Sequence, residues 1–489
     1  MGKPFRITAT MLFTAITFLV AGELASGTQP EFVAMMAGTI FCAAVTFNLL
    51  GGVKTISGIG FTAFALGTIV ISQFAKVFFF EAADKNLEAP YLTIKVYLVF
   101  YFSVMVGTFI YGRLRVRLPK PMEPESPAQT ELQYAISLTV GLFASALFAY
   151  YDAQSESGGE EAGGHSVGVA FSVLLLYSLV LAVINRIRET GGRHSFGIKA
   201  FIPWLALVIF AVIRTARGSI MLPSIIYLMA CYTCGYRLRR KHYILTALGV
   251  TLFLAFISPL EMYVRANVIR GDLRSRIDST IAILRAIPAW EVVKQSSAGG
   301  SQTGSREEYY DRPGTFVLSR LSAIRPDSNM ISATSTGFHY GFTALKIDAL
   351  HSVPHFLYKN KPDEDSDWYL GRVTGLNPDN VENVELMITS VSDSYGAFGW
   401  LGVVVVGGLV FPACFVLYES LFDLRKPWGV VALSGFVYGF WAASMGSLLQ
   451  ILTRTPLALI ALSYLVGGLV STIPIRGDRG GEMSGAPAA

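Results

Sequence analysis

The stretch Ala397–Tyr418, AFGWLGVVVVGGLVFPACFVLY, carries no charged side chain. A hydrocarbon core about 30 Å thick accommodates roughly 20 apolar residues wound as a helix, so this stretch reads as a membrane span. Runs of the same kind recur on both sides of it, near residues 5–22, 32–50, 56–80, 91–112, 132–151, 167–184, 200–213, 219–236, 243–260, 428–449 and 456–474. The chain therefore reads as an all-α polytopic membrane protein with about 12 transmembrane helices. Composition agrees: of 489 residues 52% are apolar and 15% charged, and mean hydropathy is +0.49, which excludes a string of soluble domains.

The formal charge of +5 does not point to nucleic acid. Glu261–Tyr395 carries 14 Lys and Arg against 17 Asp and Glu, leaving 25 against 17 elsewhere, and that excess sits in short loops between spans. With the N-terminus inside, Arg113/Arg115/Arg117/Lys120, Arg186/Arg188/Arg193/Lys199, Arg237/Arg239/Arg240/Lys241 and Arg425/Lys426 all fall on the cytoplasmic side. Asp152–Ser166, with four acids and no Lys or Arg, falls outside. Lys3 and Arg6 before apolar Ile7–Val20 read equally as a signal peptide or a first span. The poor small-x-small site at Glu23-Leu24-Ala25-Ser26-Gly27 favours an uncleaved span.

Cys42, Cys231, Cys234 and Cys414 all lie in apolar segments, so no secreted-type disulfide framework is expected. The Cys231-x-x-Cys234 pair reads as packing, as does Gly435-Phe-Val-Tyr-Gly439, whose small residues admit a close helix approach. Pro119–Pro127 and the polar tail after Arg476 read as flexible cytoplasmic segments. The organisation expected is spans one to nine in 1–260, a large outer loop in 261–395, spans ten to twelve in 396–475, and the tail in 476–489.

That outer segment of about 135 residues is too long for an ordinary connection, and function is sought there. Asp272–Ala286, with Leu273, Ile277, Ile281 and Leu284 on one stripe, suits a helix at the membrane interface. A flexible hinge follows at Ser296–Ser305, then a helix at Thr315–Ile324 and a Gly/aromatic-rich portion to Lys361.

Between the seventh and eighth spans, Arg214 and Arg217 stand at the outer face, where a guanidinium suits phosphate or, in the plainer reading, snorkels to lipid headgroups. His339, His351 and His355 lie in the outer segment, but Pro354 spoils a helical His-x-x-x-His pair, so a zinc site is disfavoured. Asp363–Asp367 reads as a solvated acidic turn rather than a calcium loop. Lys76 and Lys95 lie close enough to span ends to reach the interface. Glycosyl transfer from a lipid-linked sugar needs a cationic cradle, a base and a closed site. Arg214, Arg217, Arg265 and Arg320 suit the first, and His339 or Asp393 the second.

The order of these features, with Arg217-Gly218-Ser219 entering a helix and a late outer loop holding LSRLSAIRPD, GFHYGFTALKIDALHSVPHFLYKNKP and DSYGAFGWLG, resembles the Wzy-type oligosaccharide repeat-unit polymerases, relatives of O-antigen ligases. The resemblance covers about residues 200–420. The matching positions are Arg320, the Phe338–Gly341 stretch, the element Pro354–Pro362 with Lys361, and Asp393-Ser-Tyr395-Gly-Ala-Phe398-Gly399. His355 stands where that element usually has Arg.

The resemblance implies a metal-independent glycosyltransferase with a GT-C-like fold and no cofactor. It would sit in the bacterial inner membrane with both termini cytoplasmic, joining undecaprenyl-pyrophosphate-linked oligosaccharides at the periplasmic face. A chain-length regulator is an implied partner, as is membrane lipid, and nucleic acid is not. Arg214, Arg217, Arg265, Arg320 and Lys361 would bind substrate, and His339 or Asp393 would act as base. The alternatives are an O-antigen ligase-type transferase and a lipid-linked oligosaccharide transporter. A transporter should line its midplane with ionisable residues. Glu23 and Glu31, eight residues apart, disfavour the branch that holds a metal on an acidic pair in the first outer loop.

Overall fold

The computed structural model describes residues 6–155, 163–213, 217–237, 244, 248–249, 323–353, 358, 361–362, 365–376, 388–441 and 444–473. Its helices are α1 (Ala9–Ala25), α2 (Pro30–Leu49), α3 (Ile56–Phe79), α4 (Pro90–Tyr111), α5 (Pro127–Ser155), α6 (Gly163–Glu189), α7 (Ile198–Ile213), α8 (Arg217–Thr233), α9 (Ile324–Thr334), α10 (Thr343–Ser352), α11 (Ser366–Val373), α12 (Ser390–Leu421), α13 (Pro427–Trp441), α14 (Met445–Leu452) and α15 (Arg454–Thr472). Among the described residues there is no strand. Prolines open α2, α4, α5 and α13, where the missing N–H has no helical partner to lose. Side chains of Thr8, Thr55, Thr389 and Ser444 cap α1, α3, α12 and α14.

Among the described residues, seven helical stretches are long and apolar enough to cross a membrane: Pro30–Leu49, Ile56–Phe79, Pro90–Tyr111, Pro127–Tyr151, Gly168–Glu189, Ser390–Leu421 and Met445–Thr472. Ala9–Ala25, Ile198–Ile213, Ile220–Thr233 and Pro427–Phe440 are shorter apolar helices. The protein is a polytopic helical membrane protein. The sequence run 243–260 lies outside the described residues apart from isolated positions. The run 428–449 is not one helix: α13 ends at Trp441 and α14 restarts at Met445. Ser444 supplies the reason, since its hydroxyl accepts the Ser447 N–H at 3.2 Å and so begins a new helix inside the apolar run.

Helices in lipid associate through close packing. Here α3, α4, α12 and α13 meet in an aromatic core. The Phe411 ring lies 5.0 Å from Phe64, 5.1 Å from Phe100 and 5.1 Å from Phe440, centroid to centroid. Glycines let the backbones approach: a side chain at Gly60 would strike the Phe436 ring, and one at Gly107 would strike the Gly408 carbonyl. Of the glycines singled out in the sequence, Gly439 faces Ile451 and Gly435 faces Thr455, in agreement with packing. All four cysteines are unbridged and buried or half-buried.

Two π turns lie among the described residues, at Leu66–Val70 and Val406–Val410. The first interrupts the i→i+4 ladder of α3, and the Gly67 carbonyl accepts the Ala323 N–H at 3.0 Å. Gly67 is near the middle of the Ile56–Phe79 span, so α9 starts deep in the bundle and runs toward the end that carries loop 80–89. We refer to that end as the loop end and to the other as the linker end.

Residues 112–126, at the linker end, do not hang free as the sequence suggested for Pro119–Pro127. The Val116 N–H donates to Ser420 Oγ at 3.0 Å and the Met122 N–H to Ser463 Oγ at 3.1 Å. Gly467 leaves room for the Met122 side chain. Next to it Glu123 is pushed up to about 8 by burial, against the pull of Lys426, the Trp428 N–H and Arg188 and with a further push from Asp423. A carboxyl raised in the folded state favours folding while it is protonated and loses that benefit as pH rises from its ordinary value toward 8. Purified protein should therefore lose thermal stability between pH 5 and pH 8, and Glu123→Gln should flatten that decline. Parallel melting curves for the two proteins across this range would contradict the assignment.

Candidate functional site

The sequence reading began the tenth span at residue 397, but α12 starts earlier, at Ser390, and is broken. Phe398 (φ −138°, ψ 15°) and Gly399 (φ 60°, ψ −145°) leave helical geometry, after which the helix resumes. A break strands the carbonyls before it. Those of Gly396 and Ala397 are taken by the N–H groups of Tyr340 (3.3 Å) and Gly341 (3.1 Å) from the segment between α9 and α10. The two glycines of Gly396-Ala-Phe-Gly399 are needed for different reasons. Gly399 adopts a positive φ, and a Cβ there would stand 3.1 Å from His339 Nε2. At Gly396 a Cβ would stand 2.7 Å from the Tyr340 ring.

This junction assigns different roles to the two candidate bases. Asp393 is only 3% exposed and both its oxygens are engaged. Oδ1 accepts the Tyr340 hydroxyl at 2.5 Å, and Oδ2 accepts the Met445 N–H at 2.7 Å, at the start of α14. It anchors the His339–Gly341 segment and α14 to the broken helix. His339, by contrast, is exposed. Its Nδ1 lies 3.3 Å from the Gly396 carbonyl, which can only accept, so Nδ1 carries a proton and the neutral ring keeps its lone pair on Nε2. Aromatic side chains surround it: the Tyr395 ring stands edge-on at 6.2 Å, Tyr395 contacts Trp400, and Phe342 contacts Phe398. Phe338, Phe342 and Trp400 are exposed.

Below this surface lies a residue that sequence reasoning missed. Asp327 is fully buried and accepts four hydrogen bonds, from Tyr97 Oη (2.5 Å), Thr389 N (2.8 Å), Thr389 Oγ1 (2.6 Å) and Ser392 Oγ (2.5 Å). Beside it Ser328 Oγ lies 3.0 Å from Thr93 Oγ1 and accepts the Ala89 N–H at 3.2 Å. The pair locks α9 to α4, to loop 80–89 and to the start of α12, beneath His339. Its only sequence signal was an acid inside the apolar-flanked LSRLSAIRPD, and its partners lie 230 and 62 or more positions away.

Of the other candidates, Arg214, Arg265, Arg320 and His355 lie outside the described residues. Arg217 is the first residue of α8. Lys361 donates to the His351 carbonyl at 3.2 Å, in the last turn of α10, which is a helix-end contact. Asp365 is not merely a solvated acid: it caps α11 through the Trp368 N–H at 2.7 Å. Asp348 of α10 accepts from Ser366 Oγ at 2.6 Å and approaches Gly446 so closely that no side chain fits there. Lys95 is exposed, but Lys76 does not reach the interface: it is fully buried. Among the described residues no three His, Cys, Asp or Glu side chains are grouped as a metal ion requires. No family model, no curated protein and no solved structure matches the chain.

Proposed function

We propose that the protein is a glycosyltransferase that polymerises lipid-linked oligosaccharide repeat units, with His339 as the general base. The observation that carries this reading is the exposed imidazole at the loop end, with Nδ1 committed to the Gly396 carbonyl and Nε2 left with its lone pair. In the reaction proposed, a terminal hydroxyl of the incoming repeat unit gives its proton to Nε2 as its oxygen attacks the anomeric carbon of the growing chain. The bond from that carbon to the undecaprenyl pyrophosphate breaks, and the pyrophosphate leaves as an anion. Arg217, with Arg214, Arg265 and Arg320, is proposed to stabilise that anion, since a guanidinium donates in parallel to phosphate oxygens. Asp393 and Tyr340 hold the histidine's segment in place without meeting substrate. The inner membrane, with the loop end at the periplasmic face and both termini inside, is part of the same proposal and rests on the charge bias of the loops.

The test is a deletion strain complemented with wild type or His339→Ala, from which undecaprenyl-linked saccharides are extracted and sized by mass spectrometry. Loss of a general base typically slows a reaction about 10²–10⁴-fold, so His339→Ala should leave single repeat units on the carrier, with long polymer gone and protein level held. Full-length polymer stranded on the carrier in the deletion strain would mean ligation instead. An unchanged lipid pool would remove the glycosyltransferase reading altogether.

A further inference from the structure

The break in α12 collects aromatic rings around His339. Phe398 and Trp400 flank Gly399 in the chain, and each meets a second ring. Phe342, just before α10, lies 4.5 Å from Phe398, centroid to centroid, and Tyr395, in the turn before the break, lies 5.5 Å from Trp400. Tyr395 also stands 6.2 Å from His339, so one ring touches both the imidazole and the indole. From the other side, the Cβ that Gly399 lacks would stand 3.1 Å from His339 Nε2, which sets the imidazole against the residue between Phe398 and Trp400. The five rings therefore share one junction. Tyr395 is buried there, whereas Phe342 is 70% and Trp400 43% exposed.

Aromatic side chains near a span end commonly meet lipid headgroups. The nitrogen among these rings sets them apart. A hydrocarbon chain laid across Phe342 and Trp400 would strip water from His339 Nε2 and supply no donor, leaving the lone pair unsatisfied. A ligand that covers rings and nitrogen together must carry C–H faces and hydroxyl groups on one small body. A sugar ring has this composition, because its C–H groups rest on the electron-rich face of an aromatic ring and its hydroxyls project from the rim. Apolar and aromatic walls with a few placed polar groups are the usual makeup of small-ligand sites.

We propose that Trp400 and Phe342 form a saccharide platform for the terminal sugar of the acceptor, which lies against these rings with its attacking hydroxyl at His339 Nε2. The inference rests on His339 being the base and adds the side chains that hold the acceptor. On this assignment the two rings act in binding and the imidazole in the chemical step.

The probe is the carrier-free repeat-unit oligosaccharide, released by mild acid from the undecaprenyl-linked pool of the deletion strain. Without pyrophosphate it can accept but not donate, so binding is read without turnover. Saturation-transfer NMR on the purified full-length protein, irradiating aromatic protons, should mark the C–H protons of the terminal sugar. Trp400→Ala and Phe342→Ala should each weaken binding about tenfold or more, the scale of losing one large apolar contact. Both should melt close to wild type, since neither side chain is buried. His339→Ala keeps the rings and should bind within a few-fold of wild type. No transfer to the sugar in the wild type would overturn the platform, as would ring variants that bind it undiminished, which would assign the rings to lipid. If His339→Ala still strands single repeat units in that case, the glycosyltransferase reading stands without the platform. An unchanged lipid pool in the deletion strain would remove both. Should Trp400→Ala fail to fold, Phe342→Ala and the wild-type spectrum decide.

Discussion

Asp327→Ala is expected to release α9 from the bundle, and the effect should be the largest of any single truncation among the described residues of the outer segment. The carboxylate receives four donors in a fully buried position. Two of them have somewhere else to turn, because the Ser392 hydroxyl already lies 3.2 Å from the Thr389 carbonyl and a threonine hydroxyl rotates freely. The Thr389 N–H and the Tyr97 hydroxyl are fixed by the backbone and by a packed ring. Each unsatisfied buried donor costs about 1–3 kcal/mol, so a loss of roughly 3–5 kcal/mol is expected once the cavity is included. Hydrogen exchange reports this as a rise of roughly 10²-fold to 4 × 10³-fold in the opening of 324–334, since 1.4 kcal/mol is tenfold. Asp327→Asn should fall between, because the amide offers one acceptor and turns an N–H toward donors. Unchanged exchange over α9 in Asp327→Ala would mean that packing of Ile324, Met330 and Ile331 holds the helix without the carboxylate.

Why this residue was invisible in the sequence, while the spans were not, follows from the range of the forces involved. A span is written in consecutive residues, because lipid requires about twenty neighbouring positions to be predominantly apolar. The Asp327 network is written in Tyr97, Thr389 and Ser392, which come together only after folding. Pro326 illustrates the local side of the same problem. The helix expected over Thr315–Ile324 lies outside the described residues up to position 322, whereas α9 begins at Ile324 with Pro326 in its first turn, where the missing N–H has no partner to lose. The Gly/aromatic-rich portion up to Lys361 likewise hides α10, whose alternation of apolar and polar residues is too short to carry a period. His339 was legible as a candidate because an imidazole is rare and chemically distinctive. Its freedom to act depends on the break at Gly399 and on Tyr340, neither of which the spacing alone could assign. Lys76 was misjudged for a further reason: its place near a span end is compatible with snorkelling outward or with capping the helix from within, and loop 80–89 decides for the second.

The second large effect is expected at that lysine. Lys76→Met keeps the length and apolar stem of the side chain but removes the donors that hold the carbonyls of Ala82, Ala83 and Lys85. It also leaves the fully buried Glu23 without the ammonium beside it. Removing one member of a buried charge pair typically costs about 3–5 kcal/mol, most of it for the charge left behind. Adding Glu23→Gln should therefore restore part of the loss, so the double variant should be more stable than Lys76→Met alone, a non-additivity that two independent sites do not produce. Protease cleavage and hydrogen exchange within 80–89 would report the opening of the loop. Exchange over α9 should rise with it, because the Ala89 N–H is bonded to Ser328. If the double variant were instead less stable by the sum of the two single losses, Glu23 would be held by Thr28 and Ala83 alone, and the charge of Lys76 would matter only for the loop carbonyls.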